Sequence, residues 1–389
     1  MPAPARSNAL PGALALAAAM GIGRFAYTAL LPGTQRALGM GDDLAGALAS
    51  VNLGGYLAGV LAARQLAARP ARGAALRLGL ALTALAAGLG AATTSTAAWL
   101  VLRAAAGLAS GLVFVLASAA ALEGPGARPG VLYAGVGIGI ALSGGVAALE
   151  PAAFARPWLA LAVLAAALVL PAWRRLAPLP PRAAAPRAAG GGAPGVGLWR
   201  LGAAYFLEGL GYIVSGTFAV SAVRRTPGLE ALAPWTWVLT GLAAAPSALL
   251  WAAAGRRAGP RRALVLAHLV QALGMALPSL SRSAAAALAG AALFGGTFMG
   301  ITTLALAAAT VLAPASPGRI VGTLTAVYGV GQILGPLLAG ALSERLGDPR
   351  PAVLAAAGAV ALGGALLALP ARRAGAPLST RSQEDTCRT

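Results

Sequence analysis

Twelve runs of about twenty mostly apolar residues follow one another along this chain of 389 residues. A helix of about that length spans the hydrocarbon core of a bilayer. Only 10% of the residues are charged, against roughly 25% in soluble domains, so a soluble globular fold is excluded. We predict an all-α integral membrane protein with twelve transmembrane helices. The predicted spans are 9–31, 44–63, 74–93, 97–122, 130–150, 157–173, 199–222, 233–254, 263–281, 284–312, 320–343 and 350–370.

The formal net charge of +19 comes from 29 basic residues, all of them arginine. Such a charge often marks a nucleic-acid-binding protein, but these arginines lie between apolar runs rather than on a soluble domain. We interpret them as contacts to anionic lipid head groups and expect no nucleic-acid partner. Cys387 and His268 are the only residues of their types, so we expect no Cys/His metal site and no cofactor.

The distribution of arginine predicts the orientation in the membrane. With both termini in the cytoplasm, 20 arginines fall in cytoplasmic segments and seven in outer loops. Arginine and lysine are enriched in cytoplasmic loops, and an even number of spans agrees with this orientation. We predict a multi-pass protein of the inner (plasma) membrane with both termini in the cytoplasm.

The longest connection between predicted spans, 174–197, is rich in proline, glycine and arginine and divides the chain almost in half. This composition is typical of a flexible linker. We predict an N-terminal six-helix bundle over 1–173, a cytoplasmic linker over 174–197, a C-terminal six-helix bundle over 198–370 and a cytoplasmic tail over 371–389.

The two halves carry similar segments in the same order. "GIGRFAYT" (21–28) in span 1 is similar to "GLGYIVSGT" (209–217) in span 7, and "YAGVGIGIAL" (133–142) is similar to "YGVGQILGPL" (328–337). Basic loops also follow spans 2 and 8. Parallel repeats of this kind are typical of transporters built from two related halves, so we predict two pseudo-symmetric bundles.

Several motifs resemble those of the major facilitator superfamily. "AGRRAGPRR" (254–262) is similar to its basic loop G-x-x-x-D-R-x-G-R-R, with Arg256 in place of the acidic residue, and "RAAAG" (103–107) resembles its R-x-x-x-G motif. The segments "GIGRFAYTALLP", "NLGGYLAG", "YFLEGLGYIVSGTF" and "LFGGTFMGITTLAL" resemble the YbfB/YjiJ-type branch. The resemblance implies a monomeric transporter in which helices 1, 4, 7 and 10 line a central cavity.

Three ionisable residues lie well inside predicted spans: Arg24 in span 1, Arg103 in span 4 and Glu208 in span 7. All three belong to the helices that the resemblance places around the cavity, where buried membrane charges are usually found. From the rise per residue, we expect Arg24 and Arg103 at similar depth in the outer half and Glu208 near the midplane.

The excess of buried positive charge predicts an anionic substrate, because an arginine fork suits a carboxylate or phosphate. Glu208 is the candidate proton carrier, since burial and a nearby arginine act in opposite directions on its proton affinity. The predicted substrate-binding residues are Arg24, Tyr27, Thr28, Arg103, Tyr212, Thr297, Phe298 and Thr302.

Alternative roles remain open at this stage. Arg24 could hold Glu208 in a structural ion pair, Arg103 could extend to the interface and bind no substrate, and Glu208 could pair with either arginine. Four further polar residues inside spans are expected to make helix–helix hydrogen bonds: Asn52, His268, Gln271 and Gln332.

The sequence therefore predicts a secondary active transporter that moves a small organic anion with protons by alternating access. No G-x-x-x-x-G-K-[ST] loop is present, which excludes ATP drive through that motif. Proton-driven export of amphipathic or drug-like compounds is the alternative, but it requires an aromatic cavity, and only 5% of residues are aromatic. A transport-dead sensor usually carries an extra soluble domain, and no catalytic set indicates an enzyme. Substrate, direction and the choice between H⁺ and Na⁺ stay open.

Overall fold

The computed structural model describes residues 7–67, 69–122, 128–150, 153–176, 196–313 and 317–369. Within these ranges the chain forms helices and no strand, and twelve helices are long and apolar enough to cross a membrane. The prediction of twelve spans is confirmed. The helices are α1 Ala9–Leu38, α2 Asp42–Leu66, α3 Arg72–Ala91, α4 Thr96–Leu122, α5 Pro129–Leu149, α6 Ala155–Leu176, α7 Val196–Arg224, α8 Ala233–Ala258, α9 Pro260–Leu280, α10 Ala284–Leu312, α11 Pro317–Leu346 and α12 Arg350–Ala368.

Several helices extend beyond their predicted spans. Helix α1 continues to Leu38, past the predicted end at residue 31. The prediction ended where polar side chains begin, but the backbone hydrogen bonds of the helix continue through them. Helix α6 reaches Leu176 and α7 begins at Val196, so both ends of the predicted linker 174–197 are helical. The rest of that linker and the predicted tail 371–389 lie outside the described residues.

The packing of the helices repeats after six helices. In the first half, α4 packs on α2 and α3, α6 on α3, and α1 on α5 and α6. In the second half, α10 packs on α8 and α9, α12 on α9, and α7 on α11 and α12. The same neighbours therefore recur in both halves, as expected for two pseudo-symmetric six-helix bundles.

The two halves contact each other through α2 with α11, α5 with α8, and α1 with α7. On α5 and α8 the contact depends on two glycines. A Cβ on Gly137 would overlap the backbone of α8 at Ala245, and a Cβ on Gly241 would overlap the backbone of α5 at Ala141. Small residues let membrane helices approach this closely, so the glycine pairs are packing elements of this contact.

Helix α1 is irregular near its middle. Residues Ala17–Ile22 form a π-helical turn, and a turn over 23–25 follows before the α-helix resumes at Ala26. The amide of Gly23 donates to the carbonyl of Ala18, five residues back, at 2.8 Å. Such π-bulges are frequent at functional sites, and in α1 the irregular turn contains Arg24.

Large apolar side chains remain exposed on the outer surfaces of many helices. Examples are Val101 on α4, Val163 on α6 and Leu250 on α8, each more than 60% exposed. In a bilayer such side chains face lipid tails, which are as apolar as leucine. Their distribution fits a molecule surrounded by lipid.

Candidate functional site

Arg24 lies at the contact between the two halves and is only 5% exposed. Its Nη2 donates a 2.9 Å hydrogen bond to the Tyr212 hydroxyl on α7. Its guanidinium carbon lies 4.4 Å from the ring centroid of Tyr56 on α2 and 5.0 Å from that of Phe25. Among the described residues no carboxylate pairs with it, and its Nε has no hydrogen-bond partner. The Nε–H of this guanidinium is therefore a buried donor without an acceptor.

Tyr212 links this arginine to a third helix. Its hydroxyl oxygen also accepts a hydrogen bond from Nε2 of Gln332 on α11. One turn after Arg24, the Thr28 hydroxyl donates to the carbonyl of Gly216 on α7. The structure thus brings together the predicted residues Arg24, Thr28 and Tyr212, and it adds Gln332 to them.

Glu208 is completely buried and does not pair with either arginine. Its Oε1 accepts a 2.7 Å hydrogen bond from Nε2 of Gln271 on α9, whose Oε1 accepts from Thr297 on α10 at 3.1 Å. Its Oε2 has no partner. Although Glu208 and Tyr212 lie one turn apart on α7, Tyr212 bonds to α1 and α11 whereas Glu208 bonds to α9. The alternative of an ion pair with Arg24 or Arg103 is not supported, because the described residues contain no such pair.

Arg103 lies inside the first half, between α1, α2 and α4. Its guanidinium carbon is 4.4 Å from the Tyr27 ring centroid, and its nitrogens lie 3.5 Å from the carbonyls of Leu48 and Gly23. It is 5% exposed, so it does not extend to the interface as one alternative supposed. It contacts the irregular turn of α1 instead.

The two arginines occupy different positions along their helices. Because α1 ends at Leu38, Arg24 lies halfway along it. Arg103 lies in the first third of α4, near the end where α1 finishes and α2 begins. Arg103 nevertheless reaches the carbonyl of Gly23, the residue before Arg24, at 3.5 Å, so the similar depth of the two arginines in the outer half stays a prediction.

The remaining polar candidates make local or helix–helix contacts. The hydroxyl of Tyr27 donates to the Ala45 carbonyl on α2 at 3.1 Å, and half-buried Thr302 bonds within α10 to the Phe298 carbonyl at 3.3 Å. Nδ2 of Asn52 donates to the Arg103 carbonyl at 2.9 Å. His268 bonds through Nδ1 within α9, and its Nε2 has no partner.

Gln271 and Gln332 bond to other helices as expected, but their partners are the two candidate residues Glu208 and Tyr212. Sequence reasoning missed this role. The available signal was an uncharged amide in the middle of an otherwise apolar span, which does not reveal what the amide faces.

An aromatic column runs through α7, α10 and α11 beside Arg24. Its rings stack in the order Tyr205, Tyr328, Tyr212, Phe298 and Phe294, with successive centroids 4.3, 5.6, 5.9 and 5.8 Å apart. The planes of neighbouring rings differ by 21° at most. Although aromatic residues are few in this chain, five of them form this column, so the low aromatic content does not argue against an aromatic site.

A charged network joins the halves at the distal end, defined as the end of the bundle where α1 ends, α2 begins, and α7 and α11 end. Arg225 forms two hydrogen bonds of 2.7 and 2.8 Å to the buried carboxylate of Asp42. Gln35 donates to the same carboxylate at 2.7 Å, and the Asp42 amide donates to Glu344 at 2.6 Å. Nearby, hydrogen bonds from Arg350 lower the pKa of Asp348.

A recess of about 500 Å³ lies next to this network and is lined by Arg36, Arg224 and Glu344 among others. The network lies at helix ends, where hydropathy gives no signal, so sequence analysis missed it. It holds the two halves together at the distal end in this conformation.

One family model matches this chain over residues 16–368. Its description reads "Uncharacterised MFS-type transporter YbfB". The match covers most of the chain and all twelve helices in whole or in part.

Solved structures with the same fold cover nearly the whole chain. A mutant of the nucleoside transporter NupG has a TM-score of 0.73 at 14% identity, covering 92% of this chain and 98% of that one. An inward-facing, occupied bacterial homolog of the human lysosomal transporter Spinster has a TM-score of 0.69 at 16% identity, covering 92% and 95%. The human organic anion transporter MFSD10 (TETRAN) has a TM-score of 0.63 at 21% identity, covering 92% and 98%. No curated protein matches.

At these identities the structures show the fold alone. They confirm the predicted major facilitator fold of twelve helices.

Proposed function

This chain belongs to the YbfB-type family of major facilitator superfamily transporters, and from that premise we propose that it is a proton-coupled secondary transporter of a small organic anion. The family and the solved structures of the same fold are membrane transporters rather than enzymes. The substrate class, the coupling ion and the alternating-access cycle are our proposal.

Arg24 is the observation on which the anion rests. Burying a guanidinium without a carboxylate partner costs free energy, and intramembrane charges are typically functional. Arg24 lies at the contact between the halves with its Nε unpaired. Its 2.9 Å hydrogen bond goes to the neutral hydroxyl of Tyr212. A substrate carboxylate is a stronger acceptor and would replace that hydroxyl.

Replacement of the Tyr212 hydroxyl by a substrate carboxylate would link substrate binding to alternating access. The Arg24–Tyr212 and Thr28–Gly216 hydrogen bonds join α1 to α7, hence one half to the other. An anion that binds Arg24 in place of Tyr212 removes one of these two hydrogen bonds at the centre of the molecule. Opening of the distal end would in addition require Asp42 and Arg225 to separate.

Glu208 is the proposed proton carrier. It is completely buried, it has no cation beside it among the described residues, and its Oε2 has no hydrogen-bond partner. Burying a carboxylate without a counter-ion is costly, so the buried position of Glu208 in this conformation suits the carboxylic acid. Release of the proton would then accompany opening and hydration of the site. The oxygens of Glu208, Gln271 and Thr297 also suit Na⁺, which is the alternative coupling ion.

The other candidate residues have supporting roles in this proposal. Arg103 and Tyr27 position the irregular turn of α1, since Arg103 contacts the Gly23 carbonyl and stacks on the Tyr27 ring. Thr297 orients the amide of Gln271 toward Glu208. Thr28, Phe298 and Thr302 contribute surfaces that substrate would contact in an open state.

The aromatic column keeps a second function under consideration, namely proton-driven export of amphipathic compounds. Such a transporter needs an aromatic binding surface, and Tyr212, Phe298 and Phe294 form one, with Tyr212 one turn after Glu208 on α7. The two functions differ in the charge of the cargo, since Arg24 favours an anion and an unpaired Glu208 would favour a cation.

We also propose that the chain resides in the plasma membrane with both termini in the cytoplasm, as the arginine distribution predicts. The distal end would then face outward. Reporter fusions at residue 389 and in the 225–232 loop test the orientation, and a cytoplasmic signal from the loop would reverse it.

The test of function uses purified protein in liposomes loaded with a pH-sensitive dye. Organic acids, amino acids and cationic drugs are added to the wild type and to Glu208→Gln, with and without sodium. We expect acid-dependent proton movement that is lost in Glu208→Gln. Proton movement with cationic drugs alone would support the exporter. Acid transport that requires sodium would identify Na⁺ instead of H⁺ as the coupling ion.

A further inference from the structure

The rings around Arg24 form a connected set that extends across both halves. All six tyrosines of the chain contact another ring or one of the two buried arginines. Through Arg24, the column in the second half continues to Tyr56, and from there to Phe114 and Tyr133 at centroid distances of 6.3 and 6.1 Å. The binding surface near the guanidinium is therefore aromatic on both sides.

Elsewhere the halves meet closely without aromatic rings. The contact of α5 with α8 brings backbones together through Gly137 and Gly241, and the chain contains 53 glycines but only 5% aromatic residues. Beside Arg24, by contrast, rings from the two halves meet, since Phe25 of the first half packs against Phe298 of the second. This placement points to a ligand with a flat face.

Phe25 shows where that ligand would fit. It follows Arg24 directly and packs edge-on against Phe298 of the second half, with centroids 6.0 Å apart, and against Trp237 at 6.5 Å. Separation of the halves at this level would uncover Phe298 on one side while Arg24 and Phe25 stay on the other. The guanidinium carbon is 5.0 Å from the Phe25 centroid, so an anionic group and an attached ring would find their partners side by side.

We propose that the substrates of this site are aromatic carboxylates, bound through their carboxylate to Arg24 and through their ring between Phe25 and the Phe298–Tyr212 pair. This inference rests on the proposed function, because it names the class of organic anion. Saturated carboxylates of the same length satisfy the guanidinium but not the rings. Aromatic pairs add to affinity beyond buried area by an amount equal to roughly two- to tenfold.

The experiment compares matched acids that differ only in the ring. Benzoate, phenylacetate and 3-phenylpropionate are paired with the cyclohexane acids of the same chain length, and benzyl alcohol and benzylamine supply a neutral and a cationic ring. The half-saturating concentration of each is measured on the wild-type full chain in dye-loaded liposomes, and by thermal shift as an independent measure of binding.

The same panel is applied to Phe298→Leu and to Phe154→Leu. Phe298→Leu removes a ring of the site but keeps an apolar side chain. Phe154→Leu is the control, because Phe154 packs on Trp99, with centroids 6.2 Å apart, and takes no part in the column. We expect each aromatic acid to bind about two- to tenfold more tightly than its saturated partner. The preference should shrink toward unity in Phe298→Leu and persist in Phe154→Leu.

The failures are distinguishable. Equal affinity within all three pairs in the wild type would overturn the aromatic inference while leaving an anion transporter in place. A preference retained in Phe298→Leu would also overturn it, since the ring would then act elsewhere. Binding of benzylamine but of none of the acids would overturn the proposed anion transport together with this inference. If Phe298→Leu does not fold, the wild-type ratios alone decide.

Discussion

Arg24 and Tyr212 meet across the two halves of the molecule through a 2.9 Å hydrogen bond, and they are 188 residues apart in the chain. Thr28 and Gly216 form the neighbouring link with the same separation. This separation superposes 21–28 on 209–216, so corresponding positions of the internal repeat face each other at the centre. One copy carries a cation and the other a phenol, and this difference creates the site.

Arg24→Lys is expected to lose anion binding even though it keeps the charge. Lysine lacks the planar fork that binds a carboxylate through two hydrogen bonds and that stacks on Tyr56. A lost charge-assisted hydrogen bond weakens binding on the order of tenfold or more. The half-saturating concentration of the best acid in the panel measures this loss. An unchanged value would mean that Arg24 does not touch the substrate.

Tyr212→Phe tests whether the tyrosine hydroxyl competes with the substrate for Arg24. The substitution keeps the stacked ring and removes the acceptor that Arg24 and Gln332 share. We therefore expect binding of the acid to stay equal or become tighter, while the closed, substrate-free state loses stability. Titration by thermal shift measures both effects. Weaker binding would make the hydroxyl a direct substrate contact.

Glu208→Gln is expected to leave thermal stability unchanged or higher while it abolishes proton coupling. Glutamine has the same shape as glutamate but no ionisable group. The substitution therefore removes the free-energy cost of burying an acid that has no cation beside it. Exposed Glu230 provides the control through Glu230→Gln, for which both stability and transport should stay at wild-type values. A melting temperature several degrees lower in Glu208→Gln would indicate instead that the carboxylate has a structural role.

The twelve helices were predictable because a bilayer admits few structures other than apolar helices of fixed length. Their ends were harder, since α1 continues through Gln35 and Arg36, where hydropathy falls but hydrogen bonding persists. Residue type and helix number were enough to choose Arg24, Glu208 and Tyr212 as candidates.

The partners of these residues were not predictable. Whether Glu208 meets Arg24 or Gln271 depends on how α7 is rotated against α1 and α9, and an apolar pattern does not contain that rotation. The aromatic column was equally unpredictable, because Tyr205, Tyr328 and Phe298 are far apart in sequence and meet only after three helices pack.

Arg225→Ala is expected to open the distal end. Asp42 is 3% exposed and would lose two hydrogen bonds from Arg225, whose side chain is 37% exposed. The substitution leaves a buried carboxylate without its counter-ion, which destabilises the state that contains it. Thr28→Cys in a Cys387→Ser background reports opening, because Thr28 is buried below the network. We expect labelling by a membrane-impermeant maleimide in intact cells to accelerate on the order of tenfold.

The control for this experiment is Arg224→Ala, since the neighbouring arginine makes no contact with Asp42 among the described hydrogen bonds. It should label at the rate of the parent. Faster labelling of Arg225→Ala only in inverted vesicles would mean that the distal end faces the cytoplasm, and an equal rate in every variant would show that the network does not control access.

Gly137→Ala is expected to impair both stability and transport, whereas Gly145→Ala on the same helix should not. The new Cβ at position 137 would overlap the backbone of α8 and lie 2.8 Å from the Cα of Ala245, while nothing lies within 4 Å of a Cβ at position 145. Overpacking of this kind costs about 1–3 kcal/mol, and alanine favours a helix over glycine by up to about 1 kcal/mol. The two melting temperatures should therefore move in opposite directions from the wild type. A similar melting temperature and transport rate in both variants would mean that α5 and α8 can separate slightly without loss, and that this contact does not set the distance between the halves.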